Sequence, residues 1–165
     1  MNKGVKIAMT TQLPEVNQSA LYDQDYYLWL ETTVKLLRER RFEELDLDSL
    51  VEEIEGLAKA DKRELRNRLA ILLEHLLKLA YWEEERQTCA RGWKNTIREQ
   101  RRQINLLVND SPSLKSFLLN IFAECYANAR EDAGEKTSLL IDTFPQQCPF
   151  TPAETLDLNY LPLFE

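Results

Sequence analysis

The stretch Leu47-Asp48-Ser49-Leu50-Val51-Glu52-Glu53-Ile54-Glu55-Gly56-Leu57-Ala58 runs on through Asp61-Lys62-Arg63-Glu64-Leu65 to Leu72-Leu73-Glu74-His75-Leu76-Leu77-Lys78-Leu79. Within it Leu47, Val51, Ile54, Ala58, Asp61, Leu65, Leu69, Leu72, Leu76 and Leu79 recur at steps of three and four, the period of one helix face. Such a face has to be covered by neighbours, so the chain reads as an all-α, up-down helical bundle. The period passes through Asp61 without slipping, which favours a single long helix reaching about Trp82. Asp61-Lys62-Arg63-Glu64 also has the form of a capping box, which would place a break there.

Upstream of this helix, residues 1–20 have neither period nor cap and read as a flexible N-terminal arm. A first helix is expected from about Asp23, with Tyr27, Leu30, Val34 and Leu37 as its apolar stripe and Arg38-Glu39-Arg40-Arg41 closing it. Asp46 or Asp48 then caps the long helix, with Glu52 and Glu53 near its positive end. Downstream, residues 83–92 are expected to turn. A third helix follows over 93–108, with Trp93, Ile97, Ile104 and Val108 inward. Asn109-Asp110-Ser111-Pro112 is the clearest punctuation: Ser111 as cap and Pro112 at the first helical position start a fourth helix. Its Leu114, Leu118, Ile121 and Cys125 face the core, and it fades near Gly134 or a turn later. Pro145, Pro149, Pro152 and Pro162 exclude a further long helix. Yet Phe144, Phe150, Leu156, Tyr160, Leu161 and Phe164 are too apolar for a solvated tail. This Pro-rich segment is therefore expected to pack across four main helices, with Thr151-Pro152-Ala153-Glu154 capping one short helix. Residues 21–165 then form a single helical-bundle domain.

The 165 residues, 44% hydrophobic and 30% charged, suffice for an ordinary core without covalent staples. Cys89, Cys125 and Cys148 are odd in number and have no Cys-x-x-Cys spacing, which points to reduced thiols and a cytoplasmic location. Residues 1–20 lack the apolar core of a signal peptide, and the run 69–82 is broken by Glu74, His75 and Lys78, so no membrane association is expected. A net charge of −7 opposes nucleic-acid binding through the overall field, leaving only a local basic stripe, Lys94, Arg98 and Arg102.

No stretch carries a recognised catalytic or cofactor spacing, and no cofactor or metal is expected. His75 is the only histidine, which excludes a histidine-rich metal site. It is either a hydrogen-bonded structural residue or a base, with Glu53 and Glu55 as carboxylate partners. A continuous helix holds Glu55 and His75, 20 residues apart, roughly 30 Å from one another, so a joint site requires the break near Asp61. Asp61, in phase with leucines, has to lie at a break, at a wet end, or against a cation. Arg101, in step with Ile97, Ile104 and Val108, is the candidate cation, and its planar fork also suits an anionic ligand. Glu53, Glu55, Asp61, His75 and Arg101 are thus the candidate site residues. Trp82 and Trp93 are core lids or, if exposed, a partner hot spot.

Several ordered segments match a family: Leu21-Tyr22-Asp23-Gln24-Asp25-Tyr26-Tyr27, Leu45-Asp46-Leu47 with Glu52-Glu53-Ile54-Glu55, and His75-Leu76-Leu77-Lys78. They continue with Trp93, Ile97 and Arg101, with Ser111-Pro112-Ser113-Leu114, and with Phe144-Pro145-Gln146-Gln147-Cys148-Pro149. Together they resemble the bacterial family 29 of the domains of unknown function, over about 21–162. The resemblance implies an all-helical cytoplasmic protein and no particular activity. Leu79-Ala80-Tyr81-Trp82 departs from the more polar sequence of the family pattern. The functional expectation is a non-catalytic protein-interaction or regulatory module with a protein partner or a homo-oligomer. The alternative is an enzyme or small-anion binder using the five residues above.

Overall fold

The computed structural model describes residues 18–162. The expectations for 1–17 and for Phe164 lie outside the described residues. Six α-helices follow in order among those described, with no strand: α1 (Gln18–Gln24), α2 (Tyr26–Arg38), α3 (Leu47–Tyr81), α4 (Glu83–Asp110), α5 (Leu114–Thr137) and α6 (Pro152–Leu156). Single 3-10 turns lie at Phe42–Glu44 and Ile141–Thr143. The all-α bundle class is as the periodicity predicts. The chain packs as two compact units, one ending at Gly56 and the other beginning at Leu57.

In the N-terminal unit, the single helix expected from Asp23 is two helices that meet at Asp25. The Asp25 carboxylate accepts the Leu28 N–H at 3.0 Å and so caps α2. The inward stripe of α2 is Trp29, Thr33 and Leu36 rather than Tyr27, Leu30, Val34 and Leu37. Trp29 is fully buried while Tyr27 is 72% exposed. The largest side chain takes the interior, and its neighbours at i+4 and i+7 turn inward with it. The helix ends on Arg40 in the left-handed region, φ 58°, which lets the Arg41 N–H return to the Leu36 carbonyl at 3.0 Å. Asp46 is the cap of α3, accepting the Ser49 N–H at 3.2 Å and its hydroxyl at 2.7 Å.

α3 is one unbroken helix of 35 residues, as the uninterrupted period predicts. Coverage of its seam is another matter. Leu65, Leu69, Leu72, Leu76 and Leu79 are fully buried, but Leu47, Val51 and Ile54 are more than half exposed and Ala58 is exposed too. In the N-terminal unit, the side of α3 that is engaged is the one bearing Ser49 and Glu53, so the leucine row on the other side stays open.

In the C-terminal unit, residues 83–92 are helical, not a turn: only Trp82 separates the end of α3 from the start of α4. Glu83, Glu84 and Glu85 favour a helix start through the dipole. Arg86 donates to the Leu79 and Ala80 carbonyls at 2.9 and 2.7 Å, satisfying the end of α3. Trp93, Ile97 and Ile104 are buried as predicted, and Val108 is partly so. Ser111 and Pro112 lie in the turn before α5 rather than at its cap and first position; Ser113 flanks the helix without a side-chain cap bond. Leu114, Leu118, Ile121 and Cys125 are buried. After α5 the chain wraps back as expected, with Phe144 and Phe150 in the core and Thr151 and Glu154 forming a reciprocal capping box. The Tyr126 hydroxyl donates to the Pro145 carbonyl at 2.5 Å, and Arg130 to the Phe144 and Ile141 carbonyls at 2.9 and 3.0 Å.

Candidate functional site

Glu53, on the first turns of α3, is held by two phenols. Tyr22 on α1 donates to Oε1 at 2.6 Å, and Tyr26 at the start of α2 donates to Oε2 at 2.7 Å. Trp29 packs against both rings, with centroids 4.9 Å from Tyr22 and 5.9 Å from Tyr26. The hydrogen bond to Glu53, reinforced by burial, pushes the Tyr22 phenol up to about 12. The bonds from Tyr22 and then Tyr26 hold the Glu53 carboxyl below its ordinary range. Near neutral pH this is a carboxylate with both oxygens occupied, which makes it a poor general base. The tyrosines and tryptophan at spacings of four and three were visible in sequence; their convergence on Glu53 needed the fold.

The same unit presents an apolar surface. Leu47, Val51 and Ile54 lie along α3, with Ile54 59% exposed, and the carboxylates of Asp48, Glu52 and Glu55 run beside them. Tyr27, Leu28, Val34 and Leu37 of α2 are exposed as well.

The remaining candidates are used differently. Asp61 occupies the wet position, exposed on α3, and Arg101 is not its partner. The Arg101 side chain is buried, the residue only 1% exposed. It donates to the carbonyls of Thr155 at 2.7 Å, Tyr160 at 2.7 Å and Glu154 at 3.3 Å. The fork fastens the end of α6 and the segment after it, where carbonyls at a helix C-terminus lack internal donors. Burial lowers the affinity of this guanidinium for its proton. Glu55 is exposed on α3, and since α3 has no break near Asp61, the joint Glu55–His75 site lacks the kink it requires. His75 is partly buried, with Nδ1 2.8 Å from the Ile71 carbonyl; the carbonyl can only accept, so Nδ1 carries the proton. Burial pushes the His75 pKa down, against that bond.

A polar cluster not singled out as a site in the sequence lies on either side of His75. Glu74, 2% exposed, accepts from Lys78 at 2.9 Å and from Lys136 of α5 at 2.7 Å. Burial would raise its pKa, but the bonds from Lys136 and Lys78 outweigh that and hold it low. The (i, i+4) spacing of Glu74 and Lys78 was the available signal. Trp82 and Trp93 stack on one another at 5.5 Å, and Trp93 is buried, which makes them lids of the core. An open cleft of about 440 Å³ lies beside α3 and α4, lined by Arg63, Glu64, Asn67, Arg68 and Gln100 among others. Arg68 is already engaged by Glu64 and Gln100. Among the described residues no group of three or more His, Cys, Asp or Glu is placed to hold a metal ion, and no helix is long and apolar enough to cross a membrane.

The family model described as Domain of unknown function DUF29 matches residues 21–161, from the residue before Tyr22 to the residue after Tyr160. The chain belongs to this family. The match spans the Tyr22, Tyr26 and Glu53 cluster as well as Arg101 and its carbonyl partners. Comparison with curated proteins and with solved structures returns no match.

Proposed function

We propose that the protein is a non-catalytic interaction module that engages another polypeptide through the apolar surface of its N-terminal unit. The observation that carries this reading is the open row Leu47, Val51 and Ile54, on a helix whose later turns bury residues of the same kind completely. Exposed apolar groups in such a row, rimmed by charge, are the usual composition of a binding face. The Tyr22, Tyr26 and Glu53 bonds brace α1 and α2 against α3, so the row is presented on an ordered support.

The alternative, an enzyme or small-anion binder, has less behind it. Glu53 is bonded to two tyrosines, Arg101 is spent on main-chain carbonyls, and His75 is tied to its own helix. The free thiols Cys89, Cys125 and Cys148 support placing the protein in the cytoplasm. The test is affinity capture with the full chain against a Val51→Asp/Ile54→Asp variant. A stoichiometric partner kept by the wild type and lost by the variant is expected; identical recovery by both chains would refute the reading.

A further inference from the structure

We propose that α4 carries a binding surface for the phosphate backbone of duplex DNA. Between residues 86 and 109 the sequence holds six cations, while Glu99 is the single carboxylate, in a chain whose net charge is −7. The fold uses two of the six internally: Arg86 on the end of α3 and Arg101 on the end of α6 and the segment after it. The other four, Arg91, Lys94, Arg98 and Arg102, follow one another at steps of three, four and four. That spacing sets them in one line along the helix, about 17 Å from first to last. Arg91, Arg98 and Arg102 are exposed and Lys94 is half-buried. Among the described residues none of the four is engaged in a hydrogen bond or an ion pair.

A solvated helix face usually mixes the two signs, so that pairs form at i, i+4. This line does not. Glu99 stands about a quarter turn round from it, and its carboxylate accepts from the Gln103 amide at 2.8 Å. Asp157, the carboxylate that acts on Arg101 from beyond α6, accepts the Asn159 N–H at 2.9 Å. Four like charges in a row repel one another, and a polymer of repeated negative charge relieves that repulsion. Gln87, Asn95 and Asn109, exposed beside the cations, add amide donors of the kind that phosphate oxygens accept from. Three arginines to one lysine favour phosphate, which the planar fork can hold through two oxygens. Trp93, the one aromatic of α4, is buried, so the face has no platform on which unpaired bases could stack. A helix matches the roughly 12 Å width of the B-DNA major groove, between two rows of phosphates, whereas the major groove of duplex RNA is deep and narrow. The acidic total opposes this surface only at long range. At physiological ionic strength exposed charges more than about 8 Å apart are largely screened, while successive cations of the line are about 5 to 6 Å apart along the axis. Glu84, in phase two turns before Arg91, and Asp110 at the far end of α4 mark its limits.

The deciding experiment is fluorescence anisotropy of a labelled random-sequence duplex of about 20 base pairs, titrated with the full chain between about 50 and 200 mM salt. Neutralising three or four phosphates should give a slope of about −3 in log affinity against log salt, with no preference between sequences. Arg98→Ala/Arg102→Ala should weaken binding about tenfold or more at the low-salt end and flatten the slope by about 2. Arg98→Lys/Arg102→Lys should keep the slope, which charge sets and the fork does not. Both positions are exposed, so circular dichroism should be unchanged in either variant. No rise in anisotropy at about 50 mM salt overturns the inference. So does a slope that the alanine pair leaves unchanged or that the lysine pair abolishes. Equal or tighter binding of an RNA duplex of the same sequence overturns the assignment to DNA. Polyglutamate that displaces the duplex at equal charge concentration also overturns it and gives the surface to an acidic protein. None of these outcomes bears on the apolar row of α3, on which this inference does not rest.

Discussion

Leu69, Leu72 and Leu76 on the later turns of α3 are fully buried, whereas Leu47, Val51 and Ile54, spaced alike on its first turns, are largely exposed. The difference lies in what each unit can bring to the helix. The C-terminal unit has α4, α5 and the returning segment with Phe144 and Phe150. The N-terminal unit has the 7 residues of α1 and the 13 of α2, and uses them on the side of Ser49 and Glu53. An apolar period therefore reports what a helix can bury, and the supply of neighbours decides what it does bury.

The sharpest way to break the contrast is to strip the C-terminal unit of its clamp. Arg101→Met should destabilise it by about 4 kcal/mol, since the Thr155 and Tyr160 carbonyls lose their guanidinium donor at about 1–3 kcal/mol each, while the Glu154 carbonyl keeps the Asp157 N–H. Urea unfolding followed by tryptophan fluorescence reads this loss. Next, Leu72→Ala should cost about 2–5 kcal/mol by opening a cavity. Ile54→Ala on the same helix should stay within about 0.5 kcal/mol. Equal losses at the two positions would mean that the first turns of α3 are covered in solution.

Acid should weaken the C-terminal unit in two stages. Burial lowers the His75 pKa, so below its ordinary 6.5 the unfolded chain takes up a proton that the native one resists, and stability falls as pH drops. Glu74 is pushed up by burial but held down more strongly by Lys136 and Lys78. Its contribution is complete above the ordinary 4.5 and is lost as pH falls through the lower native value. Urea midpoints between pH 7.5 and 3.5 should show both steps; His75→Asn should remove the first and Glu74→Gln the second. The smallest effect belongs to the N-terminal unit. In Glu53→Gln the Tyr22 phenol should titrate well below its present value of about 12, read by ultraviolet absorbance, with little change in unfolding.

Much of the C-terminal unit was legible in the residue pattern: the unbroken helix through Asp61, the inward row Trp93, Ile97 and Ile104, and the Thr151–Glu154 capping box all follow from spacing. The N-terminal unit was read out of phase, because Trp29 outweighs the four-residue rhythm of Tyr27, Leu30, Val34 and Leu37. The start of α4 was missed because Gly92 and the polar run before it look like a turn, while Arg86 satisfies the α3 carbonyls in a way no local pattern reveals. Among the candidate site residues, the inward phase of Arg101 could be read, but its acceptors could not. They are main-chain carbonyls, and a carbonyl has no letter in the sequence.

Those acceptors lie 53 to 59 residues beyond Arg101. As the chain is synthesised, α4 emerges with a guanidinium aimed at an interior that has no place for it yet, and water must keep the charge until the segment after α6 arrives. Helix formation can run ahead locally, but closure over Arg101 waits on a contact of long sequence separation, the slow kind. Nascent copies of this protein should therefore pass through an interval with the leucine face of α3 and the Trp93, Ile97 and Ile104 face of α4 incompletely sealed, the state in which a chaperone would meet them.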